Sequence, residues 1–88
     1  MKVSITLMNN DDARPIIQAI ERDNIGCEVS HLPSLVKIDS SDSLRINRES
    51  VEHFLGREWD VQEIHLTLVS IAGEVDEDDD YFELKWRH

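Results

Sequence analysis

The chain has 88 residues, of which 40% are apolar and 32% are charged, and its net charge is -10 at pH 7. This length predicts a single domain, residues 1–88, with no room for a separate cofactor-binding domain. No apolar run approaches the roughly 20 residues of a membrane span, and the excess of acids repels phosphate backbones, so we expect neither a membrane nor a nucleic acid as a partner.

The first ten residues, MKVSITLMNN, predict a strand. Val3, Ile5 and Leu7 alternate with polar residues, which is the period of a half-buried strand. The same ten residues contain neither the apolar stretch nor the cleavage site of a signal peptide. We therefore expect a cytoplasmic protein.

A helix is predicted after this strand. Four apolar residues have the i, i+3, i+4 and i+7 spacing of one helix face: Ala13, Ile16, Ile17 and Ile20. Asn10, Asp11 or Asp12 can cap the helix, because short polar side chains accept hydrogen bonds from free N–H groups of the first turn. Pro15 is tolerated in that first turn, and Gly26 supplies the end.

The following segment, up to residue 46, predicts two or three short strands. Pro33 and a turn in DSSDS, residues 39–43, separate the runs of alternation. The inward residues of these runs are Cys27, Val29 and His31, then Val36 and Ile38, then Leu44 and Ile46.

A second, short helix is predicted next. Asn47 can cap it, Glu49 lies in the first turn where the helix dipole favours an acid, and Gly56 ends it. The expected buried stripe consists of Val51, Phe54 and Leu55. In the connector LGREWDV, residues 55–61, we expect Trp59 to anchor the chain on the core, with Arg57 held by a nearby acid or carbonyl.

The remaining chain predicts two strands joined by an acidic turn. One strand begins at Ile64, with Ile64, Leu66 and Leu68 on one face and His65, Thr67 and Val69 on the other. The turn is EVDEDDD, residues 74–80, and the last strand has Phe82, Leu84 and Trp86 on one side. The order of strand, helix, strands, helix and strands predicts an α+β domain with mainly antiparallel strands.

No catalytic motif or phosphate-binding glycine loop is present in the sequence. Glu49, Glu52 and His53 could approach a metal, but the apolar stripe of their helix should leave them on the solvated face. Asp76, Asp78 and Asp80 have the first spacings of a calcium-binding loop, although its sixth position holds Tyr81 instead of glycine and its twelfth holds Arg87 instead of glutamate. A metal- or calcium-binding domain therefore remains as the alternative.

Three other potentially reactive side chains are expected to be structural. His31 and His65 are single histidines within predicted strands, where packing or hydrogen bonding is more usual than metal binding. Cys27 is the only cysteine, which excludes an internal disulfide and a cysteine-based zinc site. We expect it to be a small apolar residue packed in the core.

The sequence resembles the regulatory, or coupling, proteins of soluble bacterial multicomponent diiron monooxygenases, most closely those of the phenol hydroxylase branch. The resemblance extends over nearly the whole chain. Its most specific parts are DARPII at residues 12–17, LGREWDV at residues 55–61 and SIAG at residues 70–73.

The resemblance implies a small domain of two sheets with two or three short helices, without a metal or organic cofactor and without an active site. It implies binding to a multisubunit diiron hydroxylase, which activates O2 and hydroxylates aromatic substrates of the phenol or toluene type. This binding would couple the hydroxylase reaction to electrons from an iron–sulfur and flavin reductase. It also places Val69, Ser70, Ile71 and Ala72 at the hydroxylase. An adaptor unrelated to oxygenases is a further alternative.

For two of these residues we expect a specific role in the contact. Ser70 would be a hydrogen-bonding contact, and Ile71 would be an apolar anchor unless it fills the core. We add Asn9 and Asn10 to the predicted hydroxylase-binding residues, because small polar residues in a loop at a helix start often serve as adaptable contacts.

Overall fold

The computed structural model describes residues 2–86 and confirms an α+β fold with two antiparallel sheets. The larger sheet contains β1 (Lys2–Met8), β2 (Glu28–His31), β3 (Leu35–Ser41) and β5 (Leu68–Ala72), in the order β2-β3-β1-β5. The smaller sheet contains β4 (Ser43–Asn47), β6 (Glu74–Glu77) and β7 (Tyr81–Lys85), in the order β4-β7-β6. The helices are α1 (Arg14–Asp23), α2 (Arg48–Leu55) and the 3-10 helix Val61–Leu66. No helix within residues 2–86 is long and apolar enough to cross a membrane.

One core fills the space enclosed by the two sheets and the helices. The alternating residues of β1 are completely buried, and so is the predicted apolar face of α1, with Ile17 slightly more accessible than the rest. Phe82 and Leu84 of β7 join them, while Trp86 is only partly buried against the core. The core is therefore built from the inward faces that the periodicities predicted for the first and last strands and for α1.

The ends of α1 differ in detail from the prediction. Its first turn accommodates Pro15 as expected, but the predicted cap by Asn10, Asp11 or Asp12 is wrong, because Ala13 occupies the capping position and no side chain caps the helix. The side-chain oxygen of Asn10 instead accepts a hydrogen bond from the N–H of Ala13 at 3.0 Å. The helix ends at Asp23, and the following Asn24 donates its side-chain amide to the carbonyl of Ile20. Gly26, with φ of +87°, lies in the turn beyond the helix.

In α2, the predicted end at Gly56 is confirmed by its φ of +81°. Asn47 occupies the capping position, but its side chain donates to Asp23 and does not cap the helix. The predicted burial of Phe54 is wrong, because successive helix residues are about 100° apart and Phe54 falls on the flank of the stripe centred on buried Val51.

The strand predicted to begin at Ile64 begins only at Leu68, because residues 61–66 form a 3-10 helix instead. The carboxylate of Asp60 accepts a hydrogen bond from the N–H of Gln62 at 3.0 Å, and Glu63 accepts one from the N–H of Asp60 at 2.8 Å. This reciprocal capping starts the helix. Because a 3-10 helix places every third residue on one side, Ile64 is buried and Leu66 is 77% exposed.

Two positions carry the chain from one sheet to the other. The predicted turn at residues 39–43 is reduced to Asp42, which has φ of +68°, because β3 continues to Ser41. Gly73 has φ of +141°, a conformation that favours glycine, and a Cβ there would be crowded at 3.2 Å from Cγ1 of Val3. The predicted acidic turn at residues 74–80 is shorter as well, since its first four residues form β6.

Candidate interaction surface

β5 is an edge strand, and it carries four of the residues predicted to bind the hydroxylase. Its partner is β1, with Ser70 opposite Thr6 and Ala72 opposite Ser4. Val69 is an extra residue in this pairing, a β-bulge between the Thr6 and Leu7 positions. Within residues 2–86, no strand pairs with the other side of β5, so its outer N–H and C=O groups remain available to a partner.

The four side chains of β5 point to different sides of the sheet. Ser70 and Ala72 are exposed and share the outer face with their β1 partners. Ile71 is opposite Ile5, on the face that covers the core, but it is 38% exposed because β5 lies at the edge. Ile71 is thus neither a fully buried core residue nor a free surface residue, and the exposed Val69 extends the apolar area beside it.

Asn9 and Asn10 lie close to the beginning of β5. The N–H of Met8, the residue before Asn9, donates to the carbonyl of Thr67 at 2.8 Å, and Leu68 is the first residue of β5. The side chain of Asn9 donates to the carbonyl of Leu32 at 3.2 Å. Since Asn10 accepts from the N–H of Ala13 just before α1, both side chains hold the loop in place while remaining exposed to solvent. The structure brings the two predicted segments to one corner of the larger sheet.

An apolar strip next to this corner was missed in the sequence. Leu35 is opposite Met8 across β3 and β1, and the N–H of Leu32 donates to the carbonyl of Leu35 at 2.8 Å, which extends the β2–β3 register by one pair. We call Leu32, Leu35 and Met8 the outer apolar row. The signal was present, because Met8 and Leu35 stand at positions where the alternation of their strands calls for polar residues.

The connector before the 3-10 helix is held by one carboxylate. Glu52 of α2 accepts hydrogen bonds from the backbone N–H of Trp59 at 2.8 Å and from Nε of Arg48 at 3.3 Å. The indole of Trp59 is only 4% exposed, and Arg57 donates to the carbonyl of Glu58 at 2.8 Å. The prediction that Trp59 anchors the connector, with Arg57 held by a carbonyl, is confirmed.

The Trp59 N–H lowers the pKa of Glu52 below its usual value of 4.5, with further help from Arg48, and burial only partly opposes this shift. The folded state therefore binds this proton more weakly than the unfolded state does. The stabilisation is complete above about pH 4.5 and is lost as the pH falls through the lowered pKa. We expect the melting temperature of Glu52→Gln to fall less than that of the natural protein between about pH 5 and pH 3. The melting temperatures can be measured by circular dichroism. An equal fall for the two proteins over this pH range would contradict this linkage.

The residues considered for metal binding do not converge in the structure. Glu49 and His53 are exposed, as expected for a solvated helix face, and line an open cleft of about 700 Å³ together with Arg22 and Arg48. Within residues 2–86, no group of three or more His, Cys, Asp or Glu residues is arranged to hold a metal ion. In the calcium-like segment, Asp76 accepts a hydrogen bond from the Tyr81 hydroxyl, and the twelfth position, Arg87, lies outside the described residues.

The single histidines and the cysteine have structural surroundings. His31 lies on β2 and is exposed. His65 lies in the 3-10 helix, and its Nε2 is 2.8 Å from Oε1 of Glu77 on β6. Cys27 is partly buried against the core. This burial raises the pKa of its thiol, and the negative charge of Glu21 raises it further by a smaller amount. A raised pKa disfavours the reactive thiolate, which agrees with a packing role.

Sequence and fold are both shared with known proteins. The MmoB/DmpM family model matches residues 1–85. The stimulatory component DmpM of phenol 2-monooxygenase from Pseudomonas sp. (strain CF600) is 45% identical over 86 residues, which are 98% of this chain and 96% of that protein. A chain in a structure of the phenol hydroxylase–regulatory protein complex is 46% identical with a TM-score of 0.94, covering 99% of this chain and 100% of that one. The regulatory protein B of soluble methane monooxygenase, at 15% identity and a TM-score of 0.74, shares the fold over 98% of this chain and 65% of that one.

Proposed function

This chain belongs to the MmoB/DmpM family, as the resemblance indicated, and we propose from this membership that it is the regulatory subunit of a phenol-type monooxygenase. The observation that carries the proposal is the match over almost the full length of both chains to the stimulatory component of a phenol 2-monooxygenase. In this role the chain has no active site of its own. Its partner is a diiron hydroxylase, which supplies the metal and the substrate pocket.

The proposed activity is a change of the hydroxylase by binding alone. A bound protein shifts the equilibrium between two hydroxylase states only if it binds one state more tightly than the other. A difference of about 1.4 kcal/mol in binding free energy changes the ratio of the two states about tenfold. We propose that the favoured state couples electron delivery by an iron–sulfur and flavin reductase to O2 activation and aromatic hydroxylation. All of these components would act in the cytoplasm.

We propose that the contact with the hydroxylase includes Val69, Ser70, Ile71 and Ala72 of β5, together with the loop of Asn9 and Asn10. Three features of the structure support this choice. Among residues 2–86, no strand pairs with the outer side of β5, so its backbone can form hydrogen bonds with a partner there. Val69 and Ile71 expose apolar area at that edge. The net charge of -10 favours fast association with a basic partner surface.

The test is reconstitution with a phenol hydroxylase and its reductase. The purified protein alone is expected to hydroxylate no phenol, and its addition is expected to raise turnover until about one molecule is present per hydroxylase active site. Heat-denatured protein at the same concentration serves as the control. Absence of stimulation and of binding would refute the proposal. Elemental analysis of the same preparation tests the alternative, since stoichiometric calcium or iron would favour a metal-binding domain.

A further inference from the structure

A small crevice lies where α1, α2 and the 3-10 helix meet. Its volume is about 110 Å³, and Leu66 at its rim is 77% exposed. The floor of the crevice consists of buried or partly buried residues from α1, α2 and the connector: Pro15, Ile16, Val51, Leu55 and Trp59. The crevice is thus an apolar pocket in the surface of a chain of which 32% is charged.

Three charged side chains border this apolar floor, namely Asp12, Arg57 and Glu63. Arg57 and Glu63 are paired with each other, since Nη2 of Arg57 is 3.6 Å from Oε1 of Glu63, and Glu63 also accepts the N–H of Asp60. Asp12 is exposed, and within residues 2–86 no donor is bonded to its carboxylate. An apolar floor beside one available polar group is the usual composition of a small-molecule site.

The size of the crevice is that of a single ring. A closed apolar cavity of about 150 Å³ holds one benzene molecule. A crevice of about 110 Å³ that is open to solvent therefore has room for one ring that stays partly in water. An aromatic ring would gain further attraction from contact with Trp59, because aromatic pairs in offset or edge-to-face contact attract each other beyond their buried area.

We propose that this crevice binds a single phenolic ring, with the ring against Leu55 and Trp59 and its hydroxyl donating to the carboxylate of Asp12. A hydrogen bond to an ionised acceptor is stronger than one between neutral groups, so a ring with a hydroxyl is favoured over a hydrocarbon ring. The choice of a phenol rests on the function proposed above, in which the hydroxylase consumes phenols and releases dihydroxybenzenes. The regulatory subunit would then sense the aromatic compounds on which the hydroxylase acts.

The crevice is next to the segment that leads into β5. Leu66 is the last residue of the 3-10 helix, and Thr67, which also lines the crevice, accepts the N–H of Met8 through its carbonyl. β5 begins at the following residue, Leu68. A bound ring therefore contacts the residues that hold the start of the proposed hydroxylase contact.

The test is a titration of the isotope-labelled natural protein with phenol, followed by NMR. We expect saturable shifts of the backbone amides of Leu55, Trp59 and Leu66, with a dissociation constant of about 1 mM for so small a ligand. Catechol, the dihydroxybenzene made by hydroxylation of phenol, should shift the same amides. Toluene has a similar ring without the hydroxyl and should bind about fivefold more weakly.

Asp12→Asn tests the hydroxyl contact, because it removes the charge of the acceptor and keeps the shape of the side chain. It should remove most of the preference for phenol over toluene. The matched control is Asp11→Asn, because Asp11 is exposed one residue earlier and lies 3.5 Å from Arg14 instead. This control should keep the full preference. A preference that survives in Asp12→Asn would contradict the assigned hydroxyl contact.

Two results would overturn the proposal as a whole. The first is the absence of saturable shifts with both phenol and catechol, or shifts that are spread over residues far from the crevice. The second is binding of toluene as tightly as phenol by the natural protein. The proposed function is decided separately: stimulation of the hydroxylase without phenol binding would leave the function intact, and phenol binding without stimulation would leave only the site.

Discussion

Replacing Ile71 with aspartate is expected to weaken binding to the hydroxylase about 30-fold, the equivalent of about 2 kcal/mol for loss of a central contact. The residue is opposite Ile5 at the edge of the core and is 38% exposed, so an apolar partner surface can cover it. A carboxylate at this position would lose its water in the complex without gaining a charged partner. Stimulation of phenol hydroxylation, titrated against a fixed amount of hydroxylase and reductase, should require a correspondingly higher concentration of the variant.

The Ile71 variant should remain folded. Its carboxylate can still reach water from the edge of the sheet, so we expect a loss of about 1–3 kcal/mol, which is less than the usual stability of a domain. Val75→Asp is the matched control, because Val75 is 44% exposed and lies on β6 of the other sheet. A folded Ile71→Asp protein with unchanged stimulation would remove Ile71 from the contact, and an unfolded one would assign it to the core.

Trp59→Ala is expected to produce the largest loss of stability, about 3–5 kcal/mol, the usual cost of removing a large aromatic side chain from a core. The indole is 4% exposed and joins the core residues of both sheets. The hydrogen bond to Glu52 comes from the backbone N–H and not from the indole, so we expect the variant chiefly to remove packing. Urea denaturation followed by circular dichroism measures the change in free energy of unfolding.

Trp59→Phe provides the control for the tryptophan prediction. A phenyl ring retains much of the buried apolar area, so the loss should be clearly smaller than for alanine. Because Trp59 directly precedes Asp60, which starts the 3-10 helix leading into β5, we expect the alanine variant to stimulate the hydroxylase less at temperatures where it is still folded. A change below about 1 kcal/mol for Trp59→Ala would show that the connector is not anchored by its indole.

Several elements could be predicted from local patterns because the information lies within a few neighbouring residues. The alternation of Val3, Ile5 and Leu7 places them on one side of any strand, and all three are buried. The position of Gly56 after a short apolar stripe predicted the end of the helix, which the structure confirms. Such inferences need only the geometry of a single strand or helix.

The segment after Trp59 shows how two local patterns can compete. Alternation of Ile64 with Leu66 suggested a strand, while the pair of Asp60 and Glu63 had the spacing of a reciprocal cap. The cap prevails because it satisfies backbone N–H groups at the start of the 3-10 helix and lets Ile64 enter the core. The sequence contained both signals, but their relative energies depend on where the core lies.

The sequence alone determined which side of each long strand and of α1 faces inward, because that choice follows from the order of apolar and polar residues along one element. Only the tertiary structure decided that β5 is an edge, that Ile71 is covered only in part, and that Leu32, Leu35 and Met8 form one row. These properties depend on the pairing of strands that are far apart in the chain, and cross-strand register is set by the packing of the whole core.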